Sequence, residues 1–330
     1  MRSRRSPMDK KYWMEDFSLG FFKKKKPEQP QPQSQPQQGN PMEKMDPSIR
    51  PGGVFMVQLL MREPCTMPSF EKMEEVLSRH VGKVEFFGKS DTEKGFAGFA
   101  ALEHIAKFSD GEGPVQLSIM SCEEFDVGRI DEMRRSQMWD VLADRDRILS
   151  ECKYAVLAHD MLAGGLGTQE RANLDMDFLE ALLELYPTCE AVFSLNSGKL
   201  ILADTIRSGK AQDLDRYIRY IMNVRFFNIS GTNDHVVDTL GLSLLFVEDL
   251  QYHFHDMDPN WVVGHAYSMA SYILTNDRPI KDGDTIDGIV DGCLEQKLQW
   301  KCHFEDAMVK PERSVLDVYM NEYAAGTRKG

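Results

Sequence analysis

No apolar run in this chain approaches the roughly 18–20 residues that a membrane-spanning helix requires. The basic N-terminus is followed by an apolar stretch, residues 17–22, too short for a signal-peptide core, and no small-residue cleavage site comes after it. Cysteine is sparse and scattered: Cys65, Cys122, Cys152, Cys189, Cys293 and Cys302 include no C-x-x-C pair, which removes the zinc ribbon and the short redox motif. A chain of 330 residues can bury a sizeable core without covalent staples, so these thiols are expected to be reduced, in a cytoplasmic protein. Neither G-x-G-x-x-G nor G-x-x-x-x-G-K-[ST] occurs, and no G-x-S-x-G elbow is present. The familiar phosphate-cradling loops and the hydrolase nucleophile turn are therefore absent. No repeat of the solenoid kind appears.

What is present is ordinary globular composition with an uneven charge. Hydrophobic residues make up 42% and charged residues 28% of the chain. The formal charge is −13, yet residues 1–40 carry +5, which leaves −18 for residues 41–330. So acidic a body repels phosphate backbones, and nucleic acid is not an expected partner of it; its acidity suits solubility, and it would also suit a basic protein partner. Residues 1–52 read as a disordered tail: a basic peptide, then the Pro/Gln linker 27–41, whose residues offer neither donors nor a core. Phe21 and Phe22 beside Lys23, Lys24, Lys25 and Lys26 would suit weak contact with an anionic membrane surface, and the plain alternative is a solubilising tail. Met8 and Met14 are alternative starts to Met1.

The body begins near Val54. Strands are expected at 54–61, 83–87, 96–102, 115–121, 154–162, 191–195, 199–203, 223–229, 239–247, 250–254 and 298–304. Helices are expected at 69–81, 129–150, 168–186 and 212–221, and after Asp258, with Thr168 and Asp258 as N-caps and Pro259 at the first helical position. Asn196, Ser197 and Gly198 form a hairpin-like turn, and Lys281 to Asp284 form another. Strands and helices mix without strict alternation. The expected fold is α+β, with largely antiparallel sheets packed with helices, in an N-terminal part 53–210 and a C-terminal part 211–330 that together can make one unit.

Several blocks of the last third resemble a family: CEAVFSLNSGKL, NVRFFNI, DTLGLSLLFVEDLQYHF, a helix ending ASYILTN, and PIKDGDTIDG. Together they are similar to the bacterial domain-of-unknown-function family 4261, matched most closely at residues 190–199 and 280–287. With VQLLM, DEMRRSQMWD and MDPNWVV included, the resemblance extends over about residues 54–318. It implies a bacterial cytoplasmic protein, and it brings no catalytic residues and no cofactor.

The residues themselves nominate one metal site. His253 and His255 stand two apart on an expected exposed strand, where both rings face one side, with Asp256 or Asp258 as a carboxylate neighbour and His265 or His303 as further ligands if the fold gathers them. The structural alternative is a pair of ordinary strand histidines with Asp258 as a helix cap. GGLGT at 164–168 reads as a connection rather than a phosphate loop. Asp282, Asp284 and Asp287 lack the sixth-position glycine and twelfth-position glutamate of a calcium loop. His303 with Glu305 or Asp306 is a weak acid/base grouping, and Asn196 and Lys199 are candidates for a surface site. The expected function is a non-enzymatic binding or interaction protein, one form of which masks a basic toxin. The alternatives are a metal-assisted hydrolase using His253 and His255, and a peripheral membrane-surface protein working through residues 17–26.

Overall fold

The computed structural model describes residues 53–89, 95–109 and 111–326. The expectations for the tail, its linker and its membrane contact lie outside the described residues. All described residues fall in one compact unit. They form two sheets packed with helices, and each sheet is made by one portion of the chain.

An interior strand of the first sheet is β1 (Met56–Met61), apolar at every position but Gln58. β1 lies between β5 (Tyr154–Met161) and β6 (Ala191–Ser194), antiparallel to both. Successive residues point to opposite faces, and both faces here are buried. Val57 and Leu59 enter the main core, whereas Leu60 enters a smaller cluster with Ile148, Leu149 and Phe193. β2 (Val84–Lys89), β3 (Phe96–Phe108) and β4 (Gly111–Glu124) extend the sheet on one side and β7 (Leu200–Leu202) on the other. Every pairing in it is antiparallel. β3 and β4 outrun the expected strands because they continue as a long hairpin, paired from Ile105 opposite Pro114 to Phe108 opposite Gly111. Gly165 allows the chain to approach that hairpin: a Cβ on it would stand 2.8 Å from the Lys107 amide nitrogen.

α1 (Phe70–Val81) starts where Ser69 accepts from the Lys72 amide, and it buries Met73, Val76 and Leu77. α4 (Thr168–Leu185) touches α1 and also reaches the helices beside the second sheet. Its expected apolar face is buried, and Arg171 and Asp175, which lie on that same face, are buried with it. Thr168 is not the N-cap. Gly167 holds that position, and the Thr168 hydroxyl instead donates to the Leu245 carbonyl.

Residues 129–150 are not one helix. The segment breaks into α2 (Glu132–Ser136), a 3-10 turn at Trp139–Val141, and α3 (Arg145–Glu151). The break falls at Gln137, whose side chain accepts from the Phe226 amide at 2.9 Å and donates to the Phe226 carbonyl at 3.1 Å. Phe226 lies on β8 (Asn223–Asn228), an edge strand of the second sheet, so Gln137 occupies backbone groups that a further strand would otherwise pair.

The second sheet has the order β11-β12-β13-β10-β9-β8. α5 (Ala203–Arg207) and α6 (Asp215–Tyr220) lead into it. Its other strands are β9 (His235–Leu240), β10 (Asp249–Phe254), β11 (Thr285–Val290), β12 (Cys293–Asp306) and β13 (Ser314–Tyr319). Only β10 and β13 pair in parallel among these neighbours. The strand expected at 239–247 stops at Leu240. Gly241, at φ 127°, turns the chain into a 3-10 helix at Leu242–Leu245, and the Asp249 carboxylate accepts from the Leu242 amide. α7 (Pro259–Thr275) packs on this sheet, capped by Asp258, with Val262, Ala266, Met269 and Ile273 buried as their spacing requires.

Candidate functional site

The second sheet has two chemically different faces. Leu250, Tyr252 and Phe254 on β10 face the apolar core, and Asp249, Gln251 and His253 alternate onto the other side. The polar face is closed by the connection 307–313. Arg225 grips Asp238 with two hydrogen bonds, at 2.8 and 2.5 Å. Arg313 bridges Asp238 at 2.8 Å and Asp249 at 3.1 Å. Arg225 also donates to the Lys310 carbonyl, and Gln251 accepts from the Met308 amide while donating to Asp317. These charges are buried and paired with one another, an arrangement in which the loss of one partner strands the others.

The end of β10 is the place where polar groups reach solvent. A cleft of about 390 Å³ lies between the β8–β9 turn and the start of α7, with Asn228, Asp234, His235, Asp256 and Met257 in its wall. The His235 ring sits between Phe226 and Phe254, its centroid 5.4 and 5.6 Å from theirs, and its Nδ1–H donates to Asn228 Oδ1. That bond assigns Nε2 as the acceptor of the neutral ring. Behind the wall, His253 Nε2 lies 3.7 Å from Asp234 Oδ2. His253 is not on an exposed strand: the C-terminal segment runs along it, with the Ala325 amide bonded to the His253 carbonyl and a Cβ on Gly326 only 3.2 Å from the ring. His255 lies one residue past the strand and donates to Asp256 at 2.9 Å. Asp258 serves as the α7 cap and accepts from the Asn260 amide.

His265 does not join this group. It lies on the Tyr252 side of the sheet, where its Nε2–H donates to the Asp287 carbonyl and Nδ1 accepts from the Tyr252 hydroxyl. Burial pushes its pKa down to about 4, against the weaker opposing pull of the Asp287 carbonyl. The ring is a neutral structural link at pH 7. His303 pairs with Asp282 at 3.4 Å, away from the cleft. Among the described residues, no group of three or more His, Cys, Asp and Glu is arranged to hold a metal ion.

The other sequence candidates are structural. Asn196 accepts from the Met56 amide and donates to the Val54 carbonyl, so it continues the pairing of β1 as a backbone mimic. Lys199 is no surface residue: it is 1% exposed, bonded to Asp140 and to the Met222 carbonyl, both at 3.1 Å. The stretch 164–168 seats the β3–β4 hairpin and starts α4. At Lys281 to Asp284 the turn is closed by Asp284 accepting from the Lys281 amide. Asp234 and His235 carry the cleft and were missed in the sequence, because they belong to a polar turn, SGTNDH, whose position beside β10 is set only by pairing. A histidine at the start of a strand was the available signal.

Residues 238–319 match the family model described as Domain of unknown function (DUF4261). That stretch begins within β9, includes α7 and the buried Asp238, Asp249 and Arg313, and ends with β13. Arg225, which completes their network, precedes it. No curated protein and no solved structure matches the chain.

Proposed function

We propose that this is a non-enzymatic binding protein of the bacterial cytoplasm whose partner is a basic protein. The observation that carries the reading is the disposition of charge. Buried charges pair with one another inside the fold, as in Arg225–Asp238–Arg313–Asp249. The net −18 of residues 41–330 belongs to a body whose exposed acids include Asp291, Glu305, Asp306 and Glu312. An acidic surface steers a basic partner and fixes its register more than it adds affinity. No helix among the described residues is long and apolar enough to cross a membrane, which is compatible with the cytoplasmic assignment.

The test is affinity capture from the native host with the full chain as bait, followed by titration of the captured protein at low and high salt. A basic protein whose binding weakens as salt rises is the expected result. Capture of nothing above background, or of a partner indifferent to salt, contradicts the proposal.

One observation favours a second reading. Asp234, His235 and Asp256 line the cleft, His253 lies 3.7 Å from Asp234 behind its wall, and His255 donates to Asp256; a metal held by His253 and His255 would serve a metal-assisted hydrolase. This reading requires stoichiometric metal that disappears in a variant carrying both His253→Ala and His255→Ala.

A further inference from the structure

The cleft at the end of β10 has a floor and a rim. Asp234, His235 and Met257 are half-buried in it, and Asn228 and Asp256 stand exposed at its edge. Among the described residues that line it there is no lysine or arginine. Its two carboxylates come from different walls. Asp234 belongs to the β8–β9 turn, and Asp256 to the connection between β10 and α7. The contact with His253 runs through Asp234 Oδ2, and the bond from His255 runs to Asp256 Oδ2, which leaves Oδ1 of each for a ligand. Both faces of the His235 ring are packed, by Phe226 and Phe254, so the ring offers its edge. With Nδ1–H given to Asn228, the nitrogen left on that edge is Nε2, an acceptor. The cleft thus combines negative charge, hydrogen-bond acceptors and the apolar thioether of Met257.

We infer that this cleft binds the guanidinium of an arginine side chain, supplied by the basic partner; the inference rests on the reading of this chain as a binding protein for such a partner. Acceptors and carboxylates without a basic neighbour select a cation. A guanidinium presents five donors in one plane and can reach acceptors on two walls at once, whereas an ammonium is a compact point charge. It is also more weakly hydrated, so it loses less on entering a half-buried floor. Its aliphatic stem lies against Met257. The acidic exterior brings the partner in, and the cleft fixes which of its residues docks.

The experiment titrates N-acetyl-arginine methylamide into the full chain at low salt, with chelator present so that no metal bridges ligand and cleft. It follows the backbone amide resonances of Asp234, His235, Asp256 and Met257. Saturable shifts at these residues are expected, with affinity falling about tenfold when Asp234→Asn and Asp256→Asn are combined. Glu74→Gln, an exposed acid on α1, should leave the affinity unchanged. The neutral, isosteric citrulline amide should give no saturable shift, and the lysine amide should bind more weakly. Shifts that never saturate, citrulline or lysine binding as tightly as arginine, or affinity indifferent to the two aspartate substitutions overturns the proposal. The same double variant, used as bait in the native host, separates this proposal from the reading beneath it. A basic protein captured equally by wild type and variant sinks the cleft and leaves the reading standing; no captured partner sinks the reading, and the amide titration then decides the guanidinium site alone.

Discussion

His265 is a residue whose surroundings fix its charge. Its ordinary value of 6.5 falls to about 4 in the fold, chiefly through burial. A histidine depressed in this way leaves the folded state unable to take the proton that the unfolded chain accepts. Its contribution is fully present above pH 6.5 and is lost as pH falls toward 4, a change of about 3 kcal/mol. Denaturant titrations at intervals across that window should show the loss in the wild type, and His265→Gln should lose less stability over the same range. Asp175 works in the opposite direction. It is wholly buried on α4, neither oxygen has a hydrogen-bond partner, and Arg171 Nε stands 3.9 Å away. Burial raises its carboxyl well above the ordinary 3.8, and Asp160 adds to the effect. A group raised on folding stabilises below its unfolded value and costs stability as pH climbs toward its folded one, by about 1.4 kcal/mol per pH unit. Asp175→Asn should match the wild type near pH 4 and exceed it increasingly above that, as read from unfolding midpoints.

At the scale of elements, the parts legible in sequence are those whose signals are local. The helical spacing of α1, Asp258 and Pro259 before α7, and the apolar residues of β1 each act within a few residues, and the corresponding elements stand where expected. The illegible parts are decided from far away. Gln137 ends α2 because it pairs with Phe226, 89 positions later. Leu240 ends β9 because Gly241 must pass close to Ser197, where a Cβ would stand 3.2 Å from the serine's own Cβ. His253 looked exposed because the segment that buries it is the C-terminus. The cleft was half legible: two histidines near it were singled out, and His235 was not. Gln137→Leu tests the edge contact. It strands the Phe226 amide and carbonyl, and should cost about 1–3 kcal/mol, with faster amide hydrogen exchange along β8 as the specific sign. Asp258→Ala should cost about 1 kcal/mol through the lost α7 cap, measured by denaturant unfolding.

At the scale of the whole molecule, the second sheet depends on a charge network that spans four segments. Arg313 joins Asp238 and Asp249 beneath the 307–313 connection, and Arg225 holds Asp238 from β8. Removing Arg313 leaves two buried carboxylates with one cation between them. Arg313→Met should therefore cost about 3–5 kcal/mol in thermal or denaturant unfolding. This arrangement also bears on function, since charge used inside the fold is withdrawn from chemistry, and the surplus acid lies outside. The most direct measurement of that account is native mass spectrometry of the full chain isolated from its own host, with and without chelator. A complex with a basic protein, unchanged by chelator and dispersed by salt, is the predicted spectrum. The chain alone, carrying a discrete mass that chelator removes, would contradict it and assign the work to a metal at His253 and His255.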